Sequence, residues 1–153
     1  MLIAVRLAVG GGFFGRSLDQ RKNDMATVLI VEDDIFTNME AFFIVEEMQH
    51  LTLVAHDVDQ ALAILNADTP IEVLFTDIRL NNHRLGGYEL AMQASLLHAD
   101  LRVLYTSGGA LADPADKLVL DGSHFLQKPY EERQLQEALA RVLNAAPVRQ
   151  PAV

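Results

Sequence analysis

Four polar clusters in this chain of 153 residues each follow an apolar run of strand length, and their chemistries complement one another. Glu32-Asp33-Asp34 follows Val28-Leu29-Ile30-Val31, and Asp77 closes the run from Ile71 to Thr76. Thr106-Ser107 follows Val103-Leu104-Tyr105, and Lys128-Pro129 follows Phe125-Leu126-Gln127. An ionised carboxylate can accept a phosphoryl group if positive charge stabilises the equatorial oxygens during transfer. Asp77 is the candidate acceptor. Glu32 and Asp33 would repel it unless a hard, oxygen-ligated cation such as Mg2+ sat among the three acids. Lys128 offers a point charge to the phosphoryl oxygens, and Thr106 offers a hydroxyl hydrogen bond.

Open α/β sheets place ligand sites at the carboxyl ends of their strands, so the elements that carry these groups must be strands of one sheet. From Thr27 onward, strand-length apolar runs alternate with helical patterns, the signature of βαβ units and a parallel sheet. Strands are expected near 27–32, 51–56, 71–77, 101–106 and 123–127. Helices are expected near 35–49, 58–67, 86–98, 113–120 and 131–144. The first helix carries Ile35, Met39, Phe42 and Phe43 at three- and four-residue spacing, and the last carries Leu135, Leu139, Val142 and Leu143 in the same way, so both should cover a sheet face. Asp34 and Asp113 read as N-caps, with Pro114 suited to a first helical position.

Length allows one domain with a full core. Net charge is −9, and beyond residue 25 eight Lys/Arg face nineteen Asp/Glu, a balance that argues against nucleic acid as a partner. Cysteine is absent, which removes disulfides and thiolate metal sites and is compatible with the cytoplasm, the expected location. No apolar stretch approaches the roughly 18 to 20 residues that span a bilayer, so no membrane partner is expected. His50, His56, His83, His98 and His124 have no ligand spacing and read as surface or loop residues. Gly10-Gly11-Gly12 and Gly108-Gly109 do not fit a phosphate-binding glycine fingerprint, and no further cofactor site is indicated. Residues 1–24 read as a disordered extension ahead of a natural-looking start at Met25, residues 25–146 as the domain, and residues 147–153 as a flexible tail.

The four polar segments, in this order and strand context, resemble the receiver domain of two-component response regulators over residues 27–145. The resemblance implies a flavodoxin-like (βα)5 three-layer sandwich with a parallel five-stranded sheet of order 2-1-3-4-5. It implies that Asp77 is the phosphoacceptor, that Glu32, Asp33, Asp77 and the backbone carbonyl of Arg79 surround Mg2+, and that Thr106 and Lys128 contact the phosphoryl group. It also implies a switch, in which Thr106 is drawn to phosphorylated Asp77 and Phe125 rotates in response. Expected partners are a histidine kinase or histidine phosphotransfer protein as donor, a downstream protein target, and a second copy in a phosphorylation-dependent homodimer. The chain would then be a signalling phosphoacceptor that assists its own phosphorylation and dephosphorylation.

Some residues depart from the pattern. Asn81 stands four residues after Asp77, where receivers commonly have Pro, and the step from Asp77 to Gly87 is longer than usual. Arg79 places a bulky cation beside the acceptor, from which an altered phosphate lifetime is expected. Nothing after the last helix resembles an effector, so a stand-alone receiver or phosphoryl relay is expected. Two alternatives stand beside it: a pseudo-receiver that binds partners without phosphorylation, and a phosphohydrolase acting through Asp77. The complete set Glu32, Asp33, Asp77, Thr106 and Lys128 argues against the first, and Arg79, where a dehalogenase-type phosphatase would have a second Asp, argues against the second.

Overall fold

The computed structural model describes residues 25–81, 86–109 and 119–150. Five strands, β1 (Thr27–Val31), β2 (Leu51–Ala55), β3 (Val73–Asp77), β4 (Arg102–Ser107) and β5 (His124–Gln127), form one parallel sheet of order β2-β1-β3-β4-β5. Four helices lie among the described residues: α1 (Ile35–Glu47), α2 (Val58–Leu65), α3 (Gly86–Leu97) and α4 (Glu132–Leu143). The helix expected near 113–120, with its cap Asp113, falls mostly outside the described residues, as do the proposed extension 1–24 and His83.

Alternation along the strands divides the core into two layers. Val28 and Ile30 of β1, Val73 and Phe75 of β3, Leu104 of β4 and Leu126 of β5 meet α1 and α4. Leu29, Val31, Leu74, Val103 and Tyr105 face the other way and meet α2 and α3. The result is three layers with the sheet in the middle. All five residues of β3 are buried, as its central position between β1 and β4 requires.

Local chemistry sets the helix starts. Asp34 caps α1 by accepting from the Thr37 amide at 2.7 Å, and Asp57 caps α2 by accepting from the Gln60 amide at 2.7 Å. At α4 the Gln134 side chain accepts from the Glu131 amide at 2.8 Å. Helix α4 buries Leu135, Ala138, Leu139 and Val142, as its spacing predicts.

Helix α1 is rotated relative to expectation. Its buried side carries Asn38, Ala41, Ile44 and Val45, while Ile35, Met39 and Phe43 are 65%, 48% and 59% exposed and Phe42 is only half-buried. Asn38 explains the rotation: its side-chain amide donates to the Glu32 and Ala55 carbonyls, 3.0 Å each, and so pins a polar residue against the sheet. Residues 147–150, expected to belong to a flexible tail, are instead packed. Val148 is buried, its amide donates to the Leu101 carbonyl at 2.9 Å, and Arg149 forms an antiparallel bridge with Asp121. The apolar side chain of Val148 joins the buried cluster that includes Leu101 and Leu120 and holds the segment down.

Candidate functional site

One parity rule gathers the site. Glu32 continues the Val28–Ile30 series of β1, Asp77 the Val73–Phe75 series, Thr106 follows Leu104, and Lys128 follows Leu126, so all four belong to the face that α1 and α4 cover. Asp77 and Thr106 are also direct register partners between β3 and β4. Carboxylate oxygens of Glu32, Asp33 and Asp77 all lie within 4.8 Å of one another. The Lys128 ammonium donates to Asp77 Oδ2 at 3.0 Å and to Glu32 Oε2, forming a bridge between the two buried acids. The Thr106 hydroxyl is buried and has no hydrogen-bond partner among the described residues.

Each of the three acids also receives one backbone N–H. The Asp34 amide donates to Glu32 Oε1 at 3.2 Å, the Arg79 amide to Asp77 Oδ1 at 3.3 Å, and the Asn81 amide to Asp33 Oδ2 at 3.1 Å. The backbone comes closest at Gly87, where an added Cβ would lie 2.1 Å from the Asp77 carbonyl oxygen, so only glycine fits.

Charge is finely balanced in this cluster. Burial pushes Glu32 up to about 7, with the Asp77 carboxylate adding to the rise and the Lys128 hydrogen bond opposing it. Burial acts against the Lys128 ammonium, but its hydrogen bonds to Glu32 and Asp77 outweigh that penalty and hold its pKa above the ordinary value. One ammonium is thus shared by two buried acids, one of which is held close to its protonated form near neutral pH.

This donor set suits a hard cation: three carboxylates, no thiol and no imidazole. The buried, unpartnered Thr106 hydroxyl in turn suits a ligand with acceptor oxygens, because an unmet buried hydroxyl is costly. A family model for the response regulator receiver domain matches residues 28–140. The chain belongs to this family. The receiver is 31% identical over 120 residues to the sensory transduction protein LytR of Streptococcus agalactiae, covering 75% of this chain and 47% of that one. It is 27% identical over 123 residues to the transcriptional regulatory protein CpxR of Klebsiella pneumoniae, covering 78% of this chain and 50% of the other. It therefore spans about half the length of these curated relatives or less.

Among solved structures, NtrX from Brucella abortus superposes with a TM-score of 0.69 at 30% identity, covering 78% of the receiver and 27% of that chain. A response regulator receiver protein from Sinorhizobium medicae gives a TM-score of 0.66 at 22% identity, with 80% and 97% covered, a likeness that concerns the fold.

Glu32, Asp33, Asp77 and Lys128 thus come together in the receiver, with Thr106 on the adjoining strand position. Arg79 is exposed and contributes its amide to Asp77. Phe125 lies on the opposite face of the sheet from Thr106, its ring 5.2 Å from that of Tyr105, which in turn meets Tyr88 at 4.9 Å. Several histidines are not free surface or loop groups: His50 accepts from the Ala26 amide at 3.1 Å, His56 Nδ1 lies 3.4 Å from Asn38 Nδ2, His98 contacts the Ile71 amide and the Leu65 carbonyl, and His124 begins β5. Reading the residues alone missed the part of Asn38 and of the Asn81 amide. An Asn just past a strand end, a residue tolerant of left-handed backbone, was the available signal for the second.

Proposed function

We propose that this receiver is the phosphoacceptor of a two-component phosphorelay, phosphorylated on Asp77 in a Mg2+-dependent reaction by a histidine kinase or a histidine phosphotransfer protein. The observation that carries the reading is the meeting of three carboxylates with the Lys128 ammonium, 3.0 Å from Asp77 Oδ2, next to a buried hydroxyl without a partner. Glu32, Asp33, Asp77 and the Arg79 carbonyl would hold the cation, which when bound supplies positive charge to the phosphoryl oxygens.

In the transfer, an Asp77 carboxylate oxygen attacks phosphorus while the N–P bond of the donor phosphohistidine breaks, and the electron pair leaves with the imidazole. Lys128 turns from its carboxylate partners to the incoming phosphoryl oxygens, and the Thr106 hydroxyl gains the acceptor it lacks. Hydrogen bonding of Thr106 to the phosphoryl group is the start of the switch, and Phe125, packed on Tyr105, lies on its path to the α3 face. Output is through phosphorylation-dependent binding of a protein, a second copy included, or through onward relay to another histidine.

The exposed stripe of α1 supports a protein donor. Ile35, Phe36 and Met39 follow directly on the acids, and Phe36 is 77% exposed. A donor bringing its imidazole to Asp77 must lie across this edge. No helix among the described residues is long and apolar enough to cross a membrane.

Incubation with acetyl phosphate and Mg2+, followed by intact-mass measurement, tests the reading. A single phosphoryl adduct in the native protein that is lost in Asp77→Asn is expected. No adduct at all would instead indicate a pseudo-receiver, and fast turnover of varied phosphoesters a phosphohydrolase.

A further inference from the structure

The backbone donors on the three acids differ in origin. For Glu32 and Asp77 the donating amide belongs to the residue two positions on, so each carboxylate is oriented by its own turn. For Asp33 the donor is the Asn81 amide, 48 residues away in the chain. Asp33 is also the exposed member of the trio and makes no ion pair with Lys128, whereas Glu32 and Asp77 are buried and share that ammonium. Its carboxylate therefore takes its orientation from a tertiary contact with the loop after β3.

That loop is built to present the donor. Leu80 is fully buried in the core on the α2/α3 side and anchors the chain immediately before Asn81. The Ile78 amide donates to the Thr106 carbonyl at 3.0 Å, and the Ile78 carbonyl accepts from the Gly87 amide at 2.8 Å, fixing the loop on both flanks. Asn81 then takes φ 48°, the left-handed region that most side chains avoid and that Asn and Gly tolerate. The turn aims its N–H at Asp33 Oδ2 and leaves the other Asp33 oxygen for a cation.

We propose that Asn81, through its left-handed backbone and amide, is a positioning residue that preorganises Asp33 for divalent-cation binding. This rests on the reading of Glu32, Asp33 and Asp77 as a cation site. What matters is the N–H and its direction, because no interaction of the Asn81 side chain is needed. Replacement by Gly keeps both. Replacement by Pro removes the donor and fixes φ near −65°. By linkage, a cation that favours the oriented Asp33 also favours the Asn81 turn, so metal and loop stabilise each other.

Mg2+ titration of the full chain, followed by calorimetry and by the Asn81 amide resonance, tests the proposal. Asn81→Gly is expected to bind Mg2+ within about twofold of the native protein and Asn81→Pro about three- to tenfold more weakly, within the range of a typical net hydrogen bond. In the Asp33→Asn background the Gly-versus-Pro difference should vanish, and phosphorylation of Asn81→Pro from acetyl phosphate should recover at saturating Mg2+. Equal Mg2+ affinity of the native protein and Asn81→Pro overturns the proposal, as does a Gly-versus-Pro gap that persists without Asp33.

If Asn81→Pro does not fold, hydrogen exchange decides. The Asn81 amide should be protected in the native protein, more so with Mg2+, and should lose protection in Asp33→Ala. Protection that is indifferent to Asp33 refutes the positioning role. Absence of Mg2+ binding by the native protein is a different outcome, since it removes the cation site itself.

Discussion

The ammonium of Lys128 lies between two buried acids, and the energetics of the pocket follow from that arrangement. Burial and the neighbouring Asp77 carboxylate push Glu32 up to about 7, so a divalent ion that favours the ionised carboxylates should stabilise the whole fold. At ten times its dissociation constant, Mg2+ is expected to add about 1.4 kcal/mol and raise Tm by several degrees, an effect reduced in Asp33→Asn and reversed by chelator. Differential scanning calorimetry reads this directly. His50 provides a second prediction. Burial holds its pKa below the ordinary 6.5, against the opposing pull of the Glu72 carboxylate, and its neutral Nδ1 accepts from the Ala26 amide at the entry to β1. A folded pKa below the unfolded one means that the native state binds fewer protons. The contribution is present above pH 6.5 and is lost as pH falls from there through the folded value. In denaturant melts, His50→Gln should flatten the stability profile over that window, and a profile unchanged by the substitution would exclude His50 as its source.

Elements carry the next level of explanation. The strands were readable in the sequence because each is an apolar run of strand length ended by polar or turn residues, and Glu32, Asp77, Thr106 and Lys128 were readable because they close such runs. The orientation of α1 was not. Apolar residues occupy most sides of this helix, so periodicity offers two equally good stripes, and the choice is made by Asn38 reaching two carbonyls outside the helix. Asn81 and His50 were hidden for a related reason, since their partners lie 48 and 24 residues away. The exposed stripe that results gives a prediction for α1. Phe36→Ser should change folding stability by no more than about 0.5 kcal/mol, as for most exposed sites, yet slow phosphotransfer from a protein donor while leaving the rate with acetyl phosphate unchanged. Equal slowing with both donors would place Phe36 in the chemistry instead. The junction of β3 and α3 behaves oppositely: Gly87→Ala drives a methyl into the Asp77 carbonyl, and a loss of roughly 1–3 kcal/mol or more is expected in urea melts.

At the scale of the molecule, the two faces of the sheet divide the labour. The α1/α4 face carries the acids, the hydroxyl and the ammonium at its rim, while the α2/α3 face holds the ring series Tyr88, Tyr105 and Phe125. The segment 147–150 closes the far end of that second layer through Val148. Val148→Asp would bury a charge with no partner there and is expected to cost on the order of 2–4 kcal/mol, measured by chemical denaturation, without altering Mg2+ affinity. The same closing segment has a geometric consequence. It meets Leu101, just before β4 begins, whereas Asp77 ends β3, so the backbone leaves Gln150 at the pole opposite the acids, some 15–20 Å away at about 3.3 Å per strand residue. A bead or dye attached to the side chain of Gln150 would therefore sit on the underside of the molecule, away from the acidic cluster.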